Sequence, residues 1–237
     1  MGFKFKQFTI EDDACAMKVG TDSIMLGSWI QTKDSQRILD IGTGSGLLAI
    51  MLAQKTLHTC LIAGIDIDAV AISQAKNNAK NAPWEQRLTF HNINLQSFSS
   101  TMAYDLIVSN PPYFPINISA NKTLSTRNRV SARQTIELDH PTLLRAVNTF
   151  LTTDGKFCCV LPMEIAPLFT NYAESVGLFC NRELQVQPKP SSAVTRLLLE
   201  FSRIQTNKTS EKLIIYNELS QYSKEYRVLC KDYYLNF

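Results

Sequence analysis

The stretch Val108-Ser109-Asn110-Pro111-Pro112-Tyr113-Phe114 puts a planar amide, two prolines and an aromatic ring directly after a short apolar run. Tyr104 to Ser109 reads as a buried strand, because branched and aliphatic residues suit a packed sheet and Pro111 stops it from continuing. Asn110 then stands at a strand end, where open parallel sheets bind ligands, and its side chain carries an acceptor and a donor in one plane. The chemistry open to such a group is alignment of a planar amino or amide nitrogen. Asn110 Oδ1 and the Pro111 carbonyl would accept its hydrogens, Tyr113 would stack on its plane, and Pro111 and Pro112 would stiffen the frame. Read more blandly, the same residues make a stiff turn.

A second constellation lies upstream. Leu39 to Ile50 sets Gly42, Gly44 and Gly46 between an apolar run and a helical pattern, where backbone free of side chains can pass close under a ligand. The spacing is G-x-G-x-G, with Leu47 where the dinucleotide fingerprint needs glycine, and no Gly-Lys-Ser/Thr follows as a Walker loop requires. Asp66 ends the next apolar run, and a carboxylate there can accept from both hydroxyls of a ribose. Asp68 reads as the N-cap of the helix that follows. Loop and carboxylate together point to a nucleotide-type ligand; taken alone, each is a turn or a cap.

These residues need a scaffold that brings strand ends together. Strand patterns at Arg37–Ile41, Cys60–Ile67, Arg87–His91, Asp105–Ser109 and Gly155–Leu161 alternate with helical patterns at 47–54, 69–79, 140–151 and 162–176. Such alternation predicts a doubly wound parallel sheet. A Thr-Asp-Gly turn is expected before the fifth strand. Two further strands, 182–186 and 195–204, are expected to close the sheet as a hairpin. The apolar run Lys212 to Tyr216 has no assigned place.

Composition narrows the field. A chain of 237 residues, 45% hydrophobic and 19% charged, can bury one large core, and a net charge of +3 does not by itself indicate nucleic acid. Six cysteines form no C-x-x-C pair and only three histidines are present, so neither a metal site nor a disulfide framework is expected. The amino terminus has no apolar signal region, and the apolar runs fall short of the ~18 residues a spanning helix needs, so a cytoplasmic protein without membrane contact is expected.

The glycine loop with Asp66 resembles motif I and its acidic partner in class I S-adenosylmethionine-dependent methyltransferases. The resemblance implies an α/β, Rossmann-like fold: a seven-stranded, mostly parallel sheet with helices on both faces and an antiparallel last strand. It implies S-adenosyl-L-methionine as cofactor, with Asp40, Gly42, Gly44 and Gly46 at its methionine end and Asp66 at its ribose. Where the family often has an acidic residue near the adenine, this chain has Asn94, which can also bond adenine N6. Asn-Pro-Pro-Tyr resembles the tetrapeptide of members that methylate planar amide or exocyclic amino nitrogens. That assigns Asn110, Pro111, Pro112 and Tyr113 to catalysis, with Asn110 also against the cofactor.

Nearly the whole chain is similar to the bacterial family that makes N6-methyladenosine at position 37, beside the anticodon of a valine tRNA. The stretches carrying this are residues 3–29, the Asn-Pro-Pro-Tyr site, residues 132–144 and the aromatic tail from Tyr233. The resemblance implies one domain, with residues 1–30 covering the cofactor, 31–206 forming the core and 207–237 an extension. It brings Lys18, Gly20, Thr21 and Asp22 near the cofactor, whereas the residues alone suggest that Thr21 and Asp22 cap a helix beginning at Ser23. Residues 114–134 carry Lys122, Arg127, Arg129 and Arg133 and no acidic residue, which suits tRNA phosphates or a merely solvated loop. Lys4, Lys6 and Lys18, interleaved with Phe3, Phe5 and Phe8, extend that surface or form one edge strand. Glutamine methylation of a release factor, guanine-N2 methylation of ribosomal RNA and a non-enzymatic RNA-binding module are the rival readings.

Overall fold

The computed structural model describes residues 2–15, 17–32, 34–112 and 139–237. Tyr113, Lys122, Arg127, Arg129 and Arg133, and most of the 132–144 stretch, lie outside the described residues.

At the amino end, β1 (Phe3–Lys4) and β2 (Thr9–Ile10) pair antiparallel, followed by α1 (Thr21–Trp29). Of the Phe/Lys alternation only Phe3–Lys4 is a strand, and it pairs with Thr9–Ile10 instead of forming one edge strand of the main sheet. Helix α1 begins at Thr21 with Gly20 as its N-cap and no side-chain cap, so neither Thr21 nor Asp22 caps it. The central elements are β3 (Arg37–Ile41), α2 (Leu47–Lys55), β4 (Leu61–Asp66), α3 (Ala69–Lys80), β5 (Leu88–Asn92) and β6 (Tyr104–Ser109). After the undescribed stretch come α4 (His140–Phe150), β7 (Leu151–Pro162), α5 (Ala166–Ser175), β8 (Phe179–Gln187), β9 (Arg196–Ser202), β10 (Thr209–Ile214) and α6 (Lys224–Cys230).

The main sheet runs β10-β8-β9-β7-β6-β3-β4-β5. Its neighbours pair in parallel except where β9 meets β7 and β8. The reversed strand is the expected one. Among the described residues the count is eight instead of seven, because Thr209–Ile214 pairs with Arg182–Gln187 and forms a new edge. A second correction concerns β7, which starts at Leu151 and not at Gly155. Thr152 to Gly155 lie inside the strand as a bulge opposite Tyr104–Leu106, so the expected turn is absorbed into the sheet.

Both faces of the sheet are covered, and the period of two sorts residues between two cores. Ile38, Ile62, Leu106, Val108, Val160 and Leu198 join α1, α2, α3 and α6 on one side, while Leu39, Ile107, Phe157, Leu161 and Phe201 join α4 and α5 on the other. Helix α2 is buried from Leu47 to Ala53 on all its faces, as befits a helix with sheet below and other elements above. What lies above is a layer built from both ends of the chain. Phe5 bridges to Tyr234, Lys6 N–H donates to the Tyr233 carbonyl at 2.9 Å, and Tyr233 Oη donates to the Met51 carbonyl at 2.9 Å. Lys55 Nζ donates to the carbonyls of Gly27, Ser28 and Ile30 at 3.1, 2.7 and 2.6 Å, closing the C-terminal end of α1.

Candidate active site

The glycine loop leaves β3, passes over the end of β4 and enters α2. Gly42 and Thr43 N–H both donate to the Ile65 carbonyl, at 2.9 and 3.0 Å. Gly44 has φ +54°, and a Cβ there would meet nothing within 4 Å, so its backbone faces open space. Its N–H donates to Asp66 Oδ2 at 2.9 Å, while Asp68 N–H donates to Asp66 Oδ1 at 2.9 Å. Burial lifts the Asp66 pKa above the ordinary carboxylate range, with these two N–H groups pulling against it. Ile67 N–H pulls the same way, and the roughly four acceptor sites of a carboxylate leave room for a further donor. Asp68 accepts from Val70 N–H at 2.9 Å and caps α3.

Asp40 takes a different place. It is fully buried behind the loop, where Oδ2 accepts from Thr43 Oγ1 at 2.6 Å and from Ala49 N–H at 3.2 Å. Burial pushes its pKa up to about 7, against the pull of those two donors. Asp40 does not line the cleft; it braces the loop from beneath. Gly46 is also behind it, where a Cβ would come within 3.1 Å of Ala75 Cβ and Phe90 Cζ.

The cleft itself gathers Gly42 to Ser45, Asp66, Ile67, Ile93, Asn94, Leu95, Asn110 and Pro112 from the strand ends, with Cys15, Met17, Lys18, Val19 and Ser23 from the amino-terminal segment. Thr21 and Pro111 are not among its lining residues. Lys18 Nζ donates to the Asp12 carbonyl at 2.5 Å, and Val19 N–H donates to Asp12 Oδ2 at 2.7 Å, so Asp12 shapes the segment bearing Lys18. Asn94 Oδ1 accepts from Gln96 N–H at 2.9 Å and caps a short 3-10 turn on the wall. Asn110 Nδ2 donates to Ser23 Oγ at 2.9 Å.

Ser23 and Cys15 carry no local mark in the sequence, because they reach the cleft only through the packing of α1 and the loop before it. Burial, then Asp68, Asp12 and Asp66, push the Cys15 thiol up to about 11, which leaves it protonated and poorly nucleophilic. Among the described residues no cluster of His, Cys, Asp and Glu could hold a metal ion, and no helix is long and apolar enough to cross a membrane.

The donor set fits a nucleoside-type cofactor: apolar walls at Ile67, Ile93 and Leu95, a carboxylate at Asp66 for ribose hydroxyls, and bare backbone at Gly44 for a close approach. A parallel sheet with one reversed strand, a glycine loop after its first central strand and a carboxylate at the next strand end define a class I methyltransferase fold. A predicted O-methyltransferase from Agrobacterium tumefaciens superposes with a TM-score of 0.69 at 14% identity, covering 90% of this chain and 96% of that one. A ribosomal protein L11 methylase from Lactobacillus delbrueckii does so with a TM-score of 0.53 at 18% identity, covering 77% of each chain. The family model for the methyltransferase small domain matches residues 14–162. The tRNA1(Val) (adenine(37)-N6)-methyltransferase of Pseudoalteromonas atlantica is 47% identical, covering 100% of this chain and 98% of its own. The enzyme of that name from Salmonella enteritidis is 42% identical over 99% of this chain and 95% of its own. The chain therefore belongs to the methyltransferase small-domain family and, within it, to the family of these tRNA adenine-N6 methyltransferases.

Proposed function

We propose that the protein transfers a methyl group from S-adenosyl-L-methionine to the exocyclic N6 of an adenosine in tRNA, at position 37 beside the anticodon of a valine tRNA. The observation that supports this most is that Asn110, Asp66 and the glycine loop share one cleft, in a chain whose full-length relatives are named for that reaction.

Bound S-adenosylmethionine would supply an electrophilic methyl group on a sulfonium, and its in-line displacement asks the protein chiefly to align the attacking nitrogen and exclude water. Asp66 would accept from the ribose hydroxyls with the acceptor capacity that its backbone donors leave it. Ile67, Ile93 and Leu95 hold the adenine, with Asn94 at its edge. Gly42 and Gly44 pass beneath the methionine end, Lys18 places a cation on that wall, and Asp40 and Gly46 serve indirectly by holding the loop in shape. Asn110 Oδ1 and the Pro111 carbonyl orient the two hydrogens of the target amino group, Pro112 walls the site and Tyr113 stacks on the base. Lys122, Arg127, Arg129 and Arg133 contact tRNA phosphates.

The chain acts as one domain in this reading, with residues 1–30 covering the cofactor, 31–206 as core and 207–237 as an extension. It works in the cytoplasm, where its substrate is. The test is incubation with labelled S-adenosylmethionine and, separately, unmodified total tRNA, release factor and ribosomal RNA, followed by digestion and mass spectrometry. N6-methyladenosine mapping to a valine anticodon loop is expected; label in release factor glutamine or in N2-methylguanosine overturns the substrate.

A further inference from the structure

Asn110 is the group on which alignment depends, yet its covalent setting does not hold its amide still. The χ2 torsion of asparagine is a broad sp³–sp² rotor, so the torsion itself does not fix the amide plane and a hydrogen bond to the amide does. Pro111 restricts the backbone of Asn110 and does nothing for that rotor. One constraint on it comes from the amino-terminal segment, where Ser23 Oγ receives Asn110 Nδ2 at 2.9 Å.

Ser23 is itself on a firm support. It lies in the first turn of α1, next to Asp22, whose Oδ2 accepts from Arg196 Nε of β9 at 2.9 Å. The far end of the same helix is closed by Lys55. A hydroxyl projecting from a helix fixed at both ends, into the cleft that Asn110 lines, meets the requirement for holding a reactive group in one geometry.

We propose that Ser23 is a positioning residue for methyl transfer, its hydroxyl holding the amide plane of Asn110 so that Oδ1 meets the incoming amino group. This rests on the function proposed above and deepens it. The residue acts through Asn110, so its removal lowers the rate of the aligned step without changing how the cofactor is held.

The experiment compares wild type, Ser23→Ala and Ser23→Thr with an unmodified valine-tRNA transcript and S-adenosylmethionine. Loss of one neutral hydrogen bond predicts a kcat about three- to tenfold lower in Ser23→Ala. The dissociation constant for S-adenosylhomocysteine should stay unchanged and Ser23→Thr, which keeps the hydroxyl, should recover the rate. An unchanged kcat in Ser23→Ala, or a loss confined to cofactor affinity, overturns the proposal. Nuclear magnetic resonance of the Asn110 side-chain amide gives a readout independent of turnover. Its hydrogens should exchange slowly in wild type and faster in Ser23→Ala, and equal rates overturn the positioning role. A wild-type protein that labels no tRNA would overturn the proposed function instead, and the amide exchange would still decide whether Ser23 holds Asn110.

Discussion

Asn78 and Glu11 exchange two hydrogen bonds: Glu11 N–H donates to Asn78 Oδ1 at 2.9 Å, and Asn78 Nδ2 donates to the Glu11 carbonyl at 2.8 Å. The same Nδ2 donates to the Ser45 carbonyl at 2.8 Å. One buried amide on α3 thus joins the amino-terminal segment to the glycine loop, and both of those line the cleft. Leucine has a similar size and none of the donors or acceptors, so Asn78→Leu leaves backbone groups of Glu11 and Ser45 unsatisfied. It should destabilise the protein by about 1–3 kcal/mol and weaken S-adenosylhomocysteine binding. Urea midpoints and calorimetric titration check the two effects, and unaltered cofactor affinity would reduce Asn78 to a purely structural residue.

Asp40 makes stability depend on pH. Its folded pKa of about 7 lies above the ordinary 3.8, so the native state binds a proton more tightly than the unfolded chain. The corresponding stabilisation is complete below pH ~4 and is lost as pH rises through about 7. Asp40→Asn keeps an acceptor for Thr43 and Ala49 and cannot ionise. Its stability relative to wild type should rise between pH 5 and pH 8 by an amount on the order of a few kcal/mol. Thermal melts at four pH values check this, and parallel curves for the two proteins would refute it.

Asp66 and Asn110 should divide the work. Asp66→Ala removes a carboxylate that holds both the loop and the proposed ribose contact, so the dissociation constant for S-adenosylhomocysteine should rise by at least about tenfold. Asn110→Ala should leave that constant near its original value and lower kcat by about 100-fold, the scale for loss of one preorganised polar contact to a reacting group. Steady-state kinetics with varied cofactor separates the two, and matching profiles for the two variants would falsify the division.

Gly64 in β4 keeps the loop's foundation tight. A Cβ there would lie 2.6 Å from Phe90 Cδ1 and 2.8 Å from Thr43 Oγ1, inside contact distance of both. Gly64→Ala should cost about 1–3 kcal/mol by overpacking. It should also disturb the bond from Thr43 to Asp40, so that cofactor binding weakens together with the melting temperature. A variant that melts as wild type would show that Phe90 has room to withdraw.

The central strands were legible because burial on both faces leaves near-continuous apolar runs such as Leu106-Ile107-Val108, which turn residues bound sharply. The edge strand Thr209–Ile214 was not, since four of its residues are exposed and polar and only its pairing with β8 makes it a strand. The start of β7 was missed because Thr-Asp-Gly chemistry suits a turn and a bulge equally. Within the site, the glycines and Asp66 announce themselves by their position at strand ends. Ser23 and Asn78 do not, because their partners lie 87 and 67 or 33 residues away and no local pattern encodes a contact at that distance.

The aromatic layer over α2 gives the chain an order of completion. Phe5 and Phe8 stack with ring centroids 4.6 Å apart, and Tyr233 meets Phe8 at 6.5 Å. During synthesis at about 5–20 residues per second, roughly 10–50 s pass between the emergence of those phenylalanines and of the tyrosine that shelters them. Until then Phe5 and Phe8 lack the partner that Tyr233 supplies, so a chain cut short before Tyr233 would carry the described strands of the sheet under an unsealed roof.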